Sequence, residues 1–375
     1  MDTDFVRQAD PYRRELLAHC YRMLGSVYDA EDLVQETYVR AWRSYEQFEG
    51  RSSMRTWLHR IATNACLNAL ETRTRRPLPI GLGAPNSDPG DPLVARHEVP
   101  WLEPMPDAMV SDDPASVVDG RESIRLAVIA AMQFLPPRQR AVLILRDVLQ
   151  WPAAEVAEML DMTTASVNSA LQRARAQLRE AAPVADDVTE PGESETRELL
   201  DRFVAAFEAK DVAAMVTIFT TDAVWEMPPF IGWYQGPEDI ARLVDTKCPA
   251  GGPGDMRLVP TKANGQYAFG LYMRDGDVYR PFNLPVLTLA PDGVSHVTCF
   301  FDLRLFKTFG LPESLPVSAP VEADEAGAAR SVSAPVEADA AGAARSVSAP
   351  VEADAAGAAR SVSAPPGGAG STGAA

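Results

Sequence analysis

The chain has 375 residues, 46% of them hydrophobic, and a formal net charge of −17. That length allows two or three domains with ordinary cores. It holds no run of about 18 apolar residues to span a membrane, and its start, MDTDFVRQADPYRRELL, lacks an apolar secretory segment, so a cytoplasmic protein without membrane attachment is expected.

Tyr12 to Leu24 sets Leu16, Leu17, Cys20, Tyr21 and Leu24 on one helical face. Gly25-Ser26 ends that helix. Asp29 is a candidate N-cap for the next, with Glu31 and Asp32 in its first turn and Leu33, Val34, Thr37, Ala41, Trp42 and Tyr45 on its core side. A third helix from about Ser53 buries Trp57, Leu58, Ile61, Ala65 and Leu70, completing a first all-α domain over residues 5–76. Residues 77–120 carry eight prolines between Pro77 and Pro106, with Gly and Asp, and read as an extended acidic linker without a fold of its own. Helical periodicity returns over residues 121–182, a second all-α domain: Ser123 to Leu135, Pro136 to about Val148, Pro152 to about Asp161, and a last helix capped by Thr163 or Thr164.

A short linker, residues 183–194, precedes a different unit at 195–309. Glu195 to Glu208 is an amphipathic helix with Leu199, Leu200, Phe203, Val204 and Phe207 inward, and a short helix follows Asp211. Strand-like runs then alternate with the turn signals Asn264-Gly265, Asp275-Gly276 and Asp292-Gly293. Helices followed by a meander predict an α+β sheet wrapped round a helix. In the tail, 310–375, SAPVEADEAGAARSV at Ser318 recurs at Ser333 and Ser348. The repeats hold no Leu, Ile or aromatic residue and a proline each, which predicts disorder and excludes a stacked solenoid.

WPAAEVAEMLDMTTASVNSALQRARAQL has the pattern of a helix-turn-helix. Ala157 is small where two helices must approach, and Val156, Leu160, Val167 and Leu171 can form their shared core. The second helix then exposes Ser166, Asn168, Ser169, Gln172, Arg173 and Arg175, groups suited to base edges and phosphates. An ordinary helical hairpin with a solvated basic face carries the same pattern. The acidity of the chain is segregated: six Arg and one Glu lie between Arg51 and Arg76, while acids dominate from Gly83 to Asp119. None of the four cysteines sits in a CxxC pair, and Cys20 and Cys66 read as core residues. His296 and Cys299 fall on opposite faces of one strand, so no metal or other cofactor is expected.

DAEDLVQETYVRAW and TWLHRIATNACLNALETRTRR resemble region 2 of bacterial σ70-family initiation factors of the extracytoplasmic-function (ECF) type, and the helix-turn-helix after PPRQRAVLILRDVLQW resembles region 4 of that family. The resemblance covers residues 5–182 and implies two partners, core RNA polymerase (its β′ clamp and β flap) and promoter DNA. It implies that a polar stripe of Asp32, Gln35, Glu36, Arg40 and Arg43 docks on the polymerase clamp helices. It implies that Arg55, Thr56, Trp57, Arg60, Thr63, Asn64 and Asn68, with the loop from Phe48, capture the separated −10 strand. Trp57 is equally a core candidate, being on the apolar face with Ile61. Arg73, Arg75 and Arg76 read as phosphate contacts. At Asn168 and Gln172 many relatives carry an Arg and an aromatic residue, so the −35 bases stay open. In the family the linker threads the RNA exit path of the polymerase. A σ subunit can be acidic because the core enzyme supplies the basic surface.

FVAAFEAKDVAAMVTIFTTDAVWEMPP and GWYQGPEDIARLV resemble a SnoaL-like domain of the NTF2 fold, a cone around a pocket. Trp225, Met227, Trp233, Tyr234, Phe269 and Tyr272 are candidate lining residues, and Glu226 and Asp302 candidate buried acids. The domain reads as a docking module, a pocket for a small regulatory ligand, or an enzyme using Asp302 as acid or base. For the whole chain the expectation is a promoter-selective σ factor, not an enzyme, regulated in cis by its third domain. The alternatives are a SnoaL-like enzyme or ligand sensor tethered to DNA-binding helices, and a helix-turn-helix repressor. A repressor has no use for the region 2 block.

Overall fold

The computed structural model describes residues 3–48, 50, 52–72, 75–110, 124–181 and 192–317, which fall in one compact unit. The repeat tail, residues 111–120 of the linker and most of the second linker lie outside them. Apolar side chains at helical spacing produce α1 (Thr3–Ala9), α2 (Arg13–Leu24), α3 (Val27–Ser44) and α4 (Met54–Thr72). Leu16, Leu17, Cys20, Tyr21 and Leu24 of α2 are all buried. Gly25 ends α2 in the left-handed region at φ 70°, and a Cβ there would stand 3.1 Å from both Leu102 and Gln133. The N-cap of α3 is Ser26, not Asp29: its Oγ accepts from the Asp29 N–H at 3.1 Å. Trp42, expected in the core, is 43% exposed. The helix buries one stripe made by Leu33, Val34, Thr37 and Ala41, and Trp42 falls just past its edge.

The linker is held, not solvated. Pro77, Leu78 and Pro79 are buried, as are Leu102 and Met105. Arg76 fixes its start, donating to Asp29 at 2.6 Å and to the Trp101 carbonyl at 2.9 Å. Farther along, Ala95 bridges to Phe230 and Pro106 to Ala263. Apart from single 3₁₀ turns at Pro79–Leu82 and Asp107–Met109, the prolines keep the segment extended, and an extended chain can pair with a sheet edge and lay its few apolar side chains into a seam.

Residues 124–181 form α5 (Leu126–Met132), α6 (Pro137–Leu143) with a π turn over Ile144–Val148, α7 (Ala153–Met159) and α8 (Thr164–Ala181). Prolines open α6 and α7, where the first N–H groups need no partner. Next come α9 (Glu193–Glu208) and α10 (Val212–Val216), then β1 (Phe219–Glu226), β2 (Trp233–Gln235) and α11 (Pro237–Lys247). β3 (Met256–Ala263), β4 (Gln266–Asp275), β5 (Val278–Ala290) and β6 (Gly293–Phe300) follow, with α12 (Arg304–Thr308) and β7 (Leu315–Pro316) last. The sheet order is β2-β1-β6-β5-β4-β3, with β7 on β5, and only β1–β6 is parallel.

Side chains alternate across this sheet, and both faces are buried. Phe269, Leu287 and Cys299 pack with α9 and α11 inside the cone. Their neighbours Ala268, Val286 and Phe300 join a second core containing Leu16, Leu58, Leu102, Ile129 and Val142. One apolar core thus runs through both helical domains, the linker and the outer sheet face. No helix among the described residues is long and apolar enough to cross a membrane.

Arg140 of α6 bridges the two helical domains from inside that core, at 2% exposure. Its guanidinium donates to the carbonyls of Met23, Gln133 (3.1 Å) and Leu135 (3.2 Å) and to the Gln133 side chain at 2.9 Å. Burial pulls its pKa down to about 10, so it stays charged at neutral pH. Arg140→Ala leaves these acceptors unsatisfied and should lower stability by roughly 3 kcal/mol, read as a fall in the urea midpoint. A loss near zero would mean the bridge is dispensable.

Candidate nucleic-acid interface

α3 presents Asp32, Gln35, Arg40 and Arg43 to solvent, with Glu36 half-buried and ion-paired to Arg40 at 2.6 Å. Val39 (39% exposed) and Trp42 share this outer surface, so the stripe is polar with an apolar spot. Sequence periodicity placed Trp42 inside and missed that spot.

The candidate −10 residues divide into two sets. Arg60, Asn64 and Asn68 are exposed along α4, and Thr56 is half-exposed near its start. Trp57 is half-buried and stacks on Phe48 with centroids 4.6 Å apart, leaving the pair as one aromatic platform at the loop. The others are engaged within the protein. Arg55 makes a two-nitrogen ion pair with Glu15, at 2.5 Å from Nη2, which holds its pKa above the usual arginine value. Thr63 is fully buried and bonded to His19 at 2.9 Å. Arg75 lies 4.4 Å over the Phe134 ring, and Arg76 is committed to Asp29 and the linker. Arg73 lies outside the described residues.

The helix-turn-helix is α7, a turn through Asp161 at φ 53°, and α8. Val156, Ala157, Leu160, Val167 and Leu171 are buried between the helices. Thr163 caps α8 by accepting from the Ser166 N–H at 3.1 Å. Ser166, Asn168, Ser169, Gln172, Arg173 and Arg175 are all exposed on α8. Arg175 is already paired with Asp147 through two bonds of 2.6 and 2.8 Å.

The two helical domains meet where α4 faces the turn before α7. Trp151 packs edge-on against His59, centroids 5.2 Å apart, and Arg55 stacks over the same indole at 5.7 Å. His59 in turn meets His19 at 5.4 Å. Beside this contact a cleft of about 800 Å³ opens, lined by Phe48, Thr56, Trp57 and Arg60 on one wall and Glu155, Glu158 and Met159 of α7 on the other. Carboxylates therefore stand across from the exposed −10 candidates.

In the third domain Trp225 and Met227 line a cavity inside the cone, while Trp233, Tyr234 and Asp302 do not. Trp233 instead donates from Nε1 to the Ala84 carbonyl of the linker at 2.9 Å. Tyr234 is buried against the other face of that short edge strand. Phe269 is core within the cone, and Tyr272 bonds the Pro312 carbonyl on the outer face. Asp302 sits at a corner, ion-paired to Arg304 at 2.6 Å. Strand alternation cannot place a residue just beyond a strand end, which is why Asp302 was misassigned to the pocket. The buried acid is Glu226, bonded to His296 at 2.8 Å and Thr298 at 3.1 Å. Its other oxygen accepts from the Ile80 N–H of the linker at 3.1 Å. His296 and Cys299 serve different sites, and no group of three metal-binding side chains occurs among the described residues.

Residues 9–76 match the family model of σ-70 region 2, residues 125–178 that of σ-70 region 4 and residues 200–301 that of the SnoaL-like domain. The chain is 60% identical over 316 residues to the ECF RNA polymerase sigma factor SigG of Mycobacterium tuberculosis, covering 83% of this chain and 85% of the relative. It is 27% identical over 283 residues to the ECF RNA polymerase sigma factor SigJ of the same species, covering 72% and 83%. The crystal structure of that SigJ matches with a TM-score of 0.55 at 24% identity, over 82% of this chain and 100% of that one, which shows a shared fold.

Burial holds His19 well below, and His59 below, the ordinary histidine value of 6.5. His59 is drawn back up in part by Glu15, 3.6 Å away. At neutral pH both are therefore neutral in the folded protein. Above about pH 6.5 the unfolded chain is neutral too, so they make no difference there. Below it the unfolded state takes up protons first, and stability falls with pH at up to ~1.4 kcal/mol per pH unit for each histidine. His19→Gln, which cannot titrate, should flatten that slope in urea titrations between about pH 7.5 and about pH 5.5. An unchanged slope would remove His19 as its source.

Proposed function

Because the chain belongs to the extracytoplasmic-function σ factors of RNA polymerase, we propose that the compact arrangement is its silent state, in which the SnoaL-like domain and the linker restrain regions 2 and 4 in cis. A σ factor with these two regions binds core polymerase and promoter DNA. The carrying observation is the contact of Trp151 with His59 and Arg55. The −10 and −35 elements lie about 25 base pairs apart, roughly 85 Å along the duplex at ~3.4 Å per base pair. Regions packed ring against ring cannot sit on both elements, so initiation requires them to separate. The carboxylates of Glu155 and Glu158 across from Thr56, Trp57 and Arg60 support the same reading, because they repel phosphate from the −10 surface.

In the open state α3 docks on the β′ clamp through Asp32, Gln35, Glu36, Arg40 and Arg43, with Val39 and Trp42 as its apolar centre. Region 4 binds the β flap and reads the −35 element with Ser166, Asn168, Ser169, Gln172 and Arg173. Arg175 joins them once released from Asp147. Thr56, Trp57, Arg60, Asn64 and Asn68 hold the −10 strand. Arg55, Thr63 and Arg76 act inside the protein instead. The enzyme alternative loses its support, since Asp302 is outside the cavity and tied to Arg304.

Run-off transcription with core polymerase tests the silent state. Asn264→Gly keeps the left-handed turn at φ 57° while deleting a side chain that bonds Tyr21, Met105 and Ile124. Losing those bonds should shift the closed–open balance by roughly 2 kcal/mol, about 30-fold, and raise transcription. Unchanged or reduced transcription would overturn the reading. In the same assay Asp32→Ala with Glu36→Ala should weaken polymerase binding without unfolding the protein, and Arg173→Ala should weaken promoter binding while sparing the polymerase. Unchanged polymerase affinity in the first variant would move the docking face elsewhere.

A further inference from the structure

The cone encloses a cavity of about 350 Å³, within the ~300–1,000 Å³ of small-molecule sites. Phe203, Phe207, Trp225, Met227, Leu243 and Phe301 make most of its wall apolar. Trp225 also holds a buried Nε1 without a hydrogen-bond partner, and two further side chains break that surface. Lys247, the last residue of α11, is the one charged side chain among the described residues that line it. Asn283 is 5% exposed, and its Oδ1 is buried without a hydrogen-bond partner. An unsatisfied amide in an apolar wall is a cost that core packing does not explain.

The linker borders this chamber. Leu93 forms part of the wall, and the Lys247 ammonium donates to the Gly90 carbonyl at 3.2 Å. Phe230, also a wall residue, is the bridge partner of Ala95. The same stretch also bonds the cone through Arg96 N–H to the Pro229 carbonyl at 2.9 Å, Ile231 N–H to the Val94 carbonyl at 3.0 Å and an exposed pair between Asp88 and Arg242. The linker therefore contributes one leucine to the wall and engages the one cation among the wall's described residues.

We propose that this cavity is a receptor site for an apolar monocarboxylic acid of the fatty-acid class, its chain in the chamber and its carboxylate on Lys247 in place of the Gly90 carbonyl, and that occupancy frees the linker around Leu93. A carboxylate is a stronger acceptor for an ammonium than a neutral carbonyl. An aliphatic chain competes with Leu93 for the same apolar wall. A sugar or nucleotide finds too few polar partners there. No bond is made or broken covalently. The regulatory half rests on the silent state proposed above; the binding half does not.

Calorimetric titration of the full chain with sodium laurate below its micellar concentration tests the binding half, with methyl laurate as the uncharged match. Laurate should bind at one site. Lys247→Met, which keeps the apolar stem, should weaken laurate about tenfold and leave methyl laurate unchanged. Leu93→Ala removes the linker side chain that packs on the cone's core and should tighten both ligands. Deuterium exchange over residues 88–97 should rise with laurate. Absence of laurate binding, or equal weakening of both ligands by Lys247→Met, overturns the site. Binding with unchanged exchange overturns the release of the linker. Either failure, alongside increased transcription by Asn264→Gly, leaves the silent-state reading standing.

Discussion

One carboxamide joins four segments. Asn264 forms the tip of the β3–β4 hairpin with Gly265, and its Nδ2 donates to the Tyr21 hydroxyl at 2.8 Å and the Ile124 carbonyl at 2.7 Å. Its Oδ1 accepts from Met105 N–H at 2.9 Å, and its own N–H returns to the Met105 carbonyl at 3.0 Å. Tyr21 passes the chain on, donating to the Glu103 carbonyl at 2.7 Å. Region 2, the linker, the start of region 4 and the SnoaL-like sheet are thus satisfied by one another, in a site without water access. Buried polar groups tolerate no partial separation, because each broken bond leaves an unpaired partner. The bonds at the hairpin tip therefore form and break together rather than one at a time.

The linker contacts form a graded series around that point. Near the tip they are buried: Leu102 and Met105 in the shared core, and Glu103 held by Ser26 at 2.5 Å. Burial raises the Glu103 pKa despite that bond. Along the cone they become exposed, as with Asp88 and Arg242, and such pairs contribute little. Glu226 lies between these extremes, a fully buried carboxylate reaching one linker N–H. The outer linker can therefore be exchanged for another ligand while the hairpin tip still holds.

Local pattern was legible in the chain wherever neighbours in sequence decide the outcome. The helical stripes of α2 and α8, the shared core of the helix-turn-helix and the Asn264-Gly265 turn all follow from spacing. What was not legible depended on contacts distant in sequence. Eight prolines and many acids describe an extended segment equally well in water or against a sheet edge, so its docking could not be read. Arg140 looks like a surface arginine until the carbonyls of Met23, Gln133 and Leu135 surround it. Glu226 and His296 sit 70 residues apart, and only the parallel β1–β6 pairing brings them together. Of the site, the exposed faces of α3 and α8 were readable, but the withdrawal of Arg55, Thr63 and Arg76 into internal bonds was not.

Tyr21 and Asn264 are separated by 243 residues, and that separation has a meaning in time. A ribosome adding about 5–20 residues per second needs roughly 12 to 50 seconds to travel from one to the other. Regions 2 and 4 are synthesised before the hairpin that bonds to Tyr21 and Ile124 exists. Under the silent state proposed above, every newly made molecule would pass through a brief unlocked youth, and the rate of its synthesis would set how many such molecules are present at once.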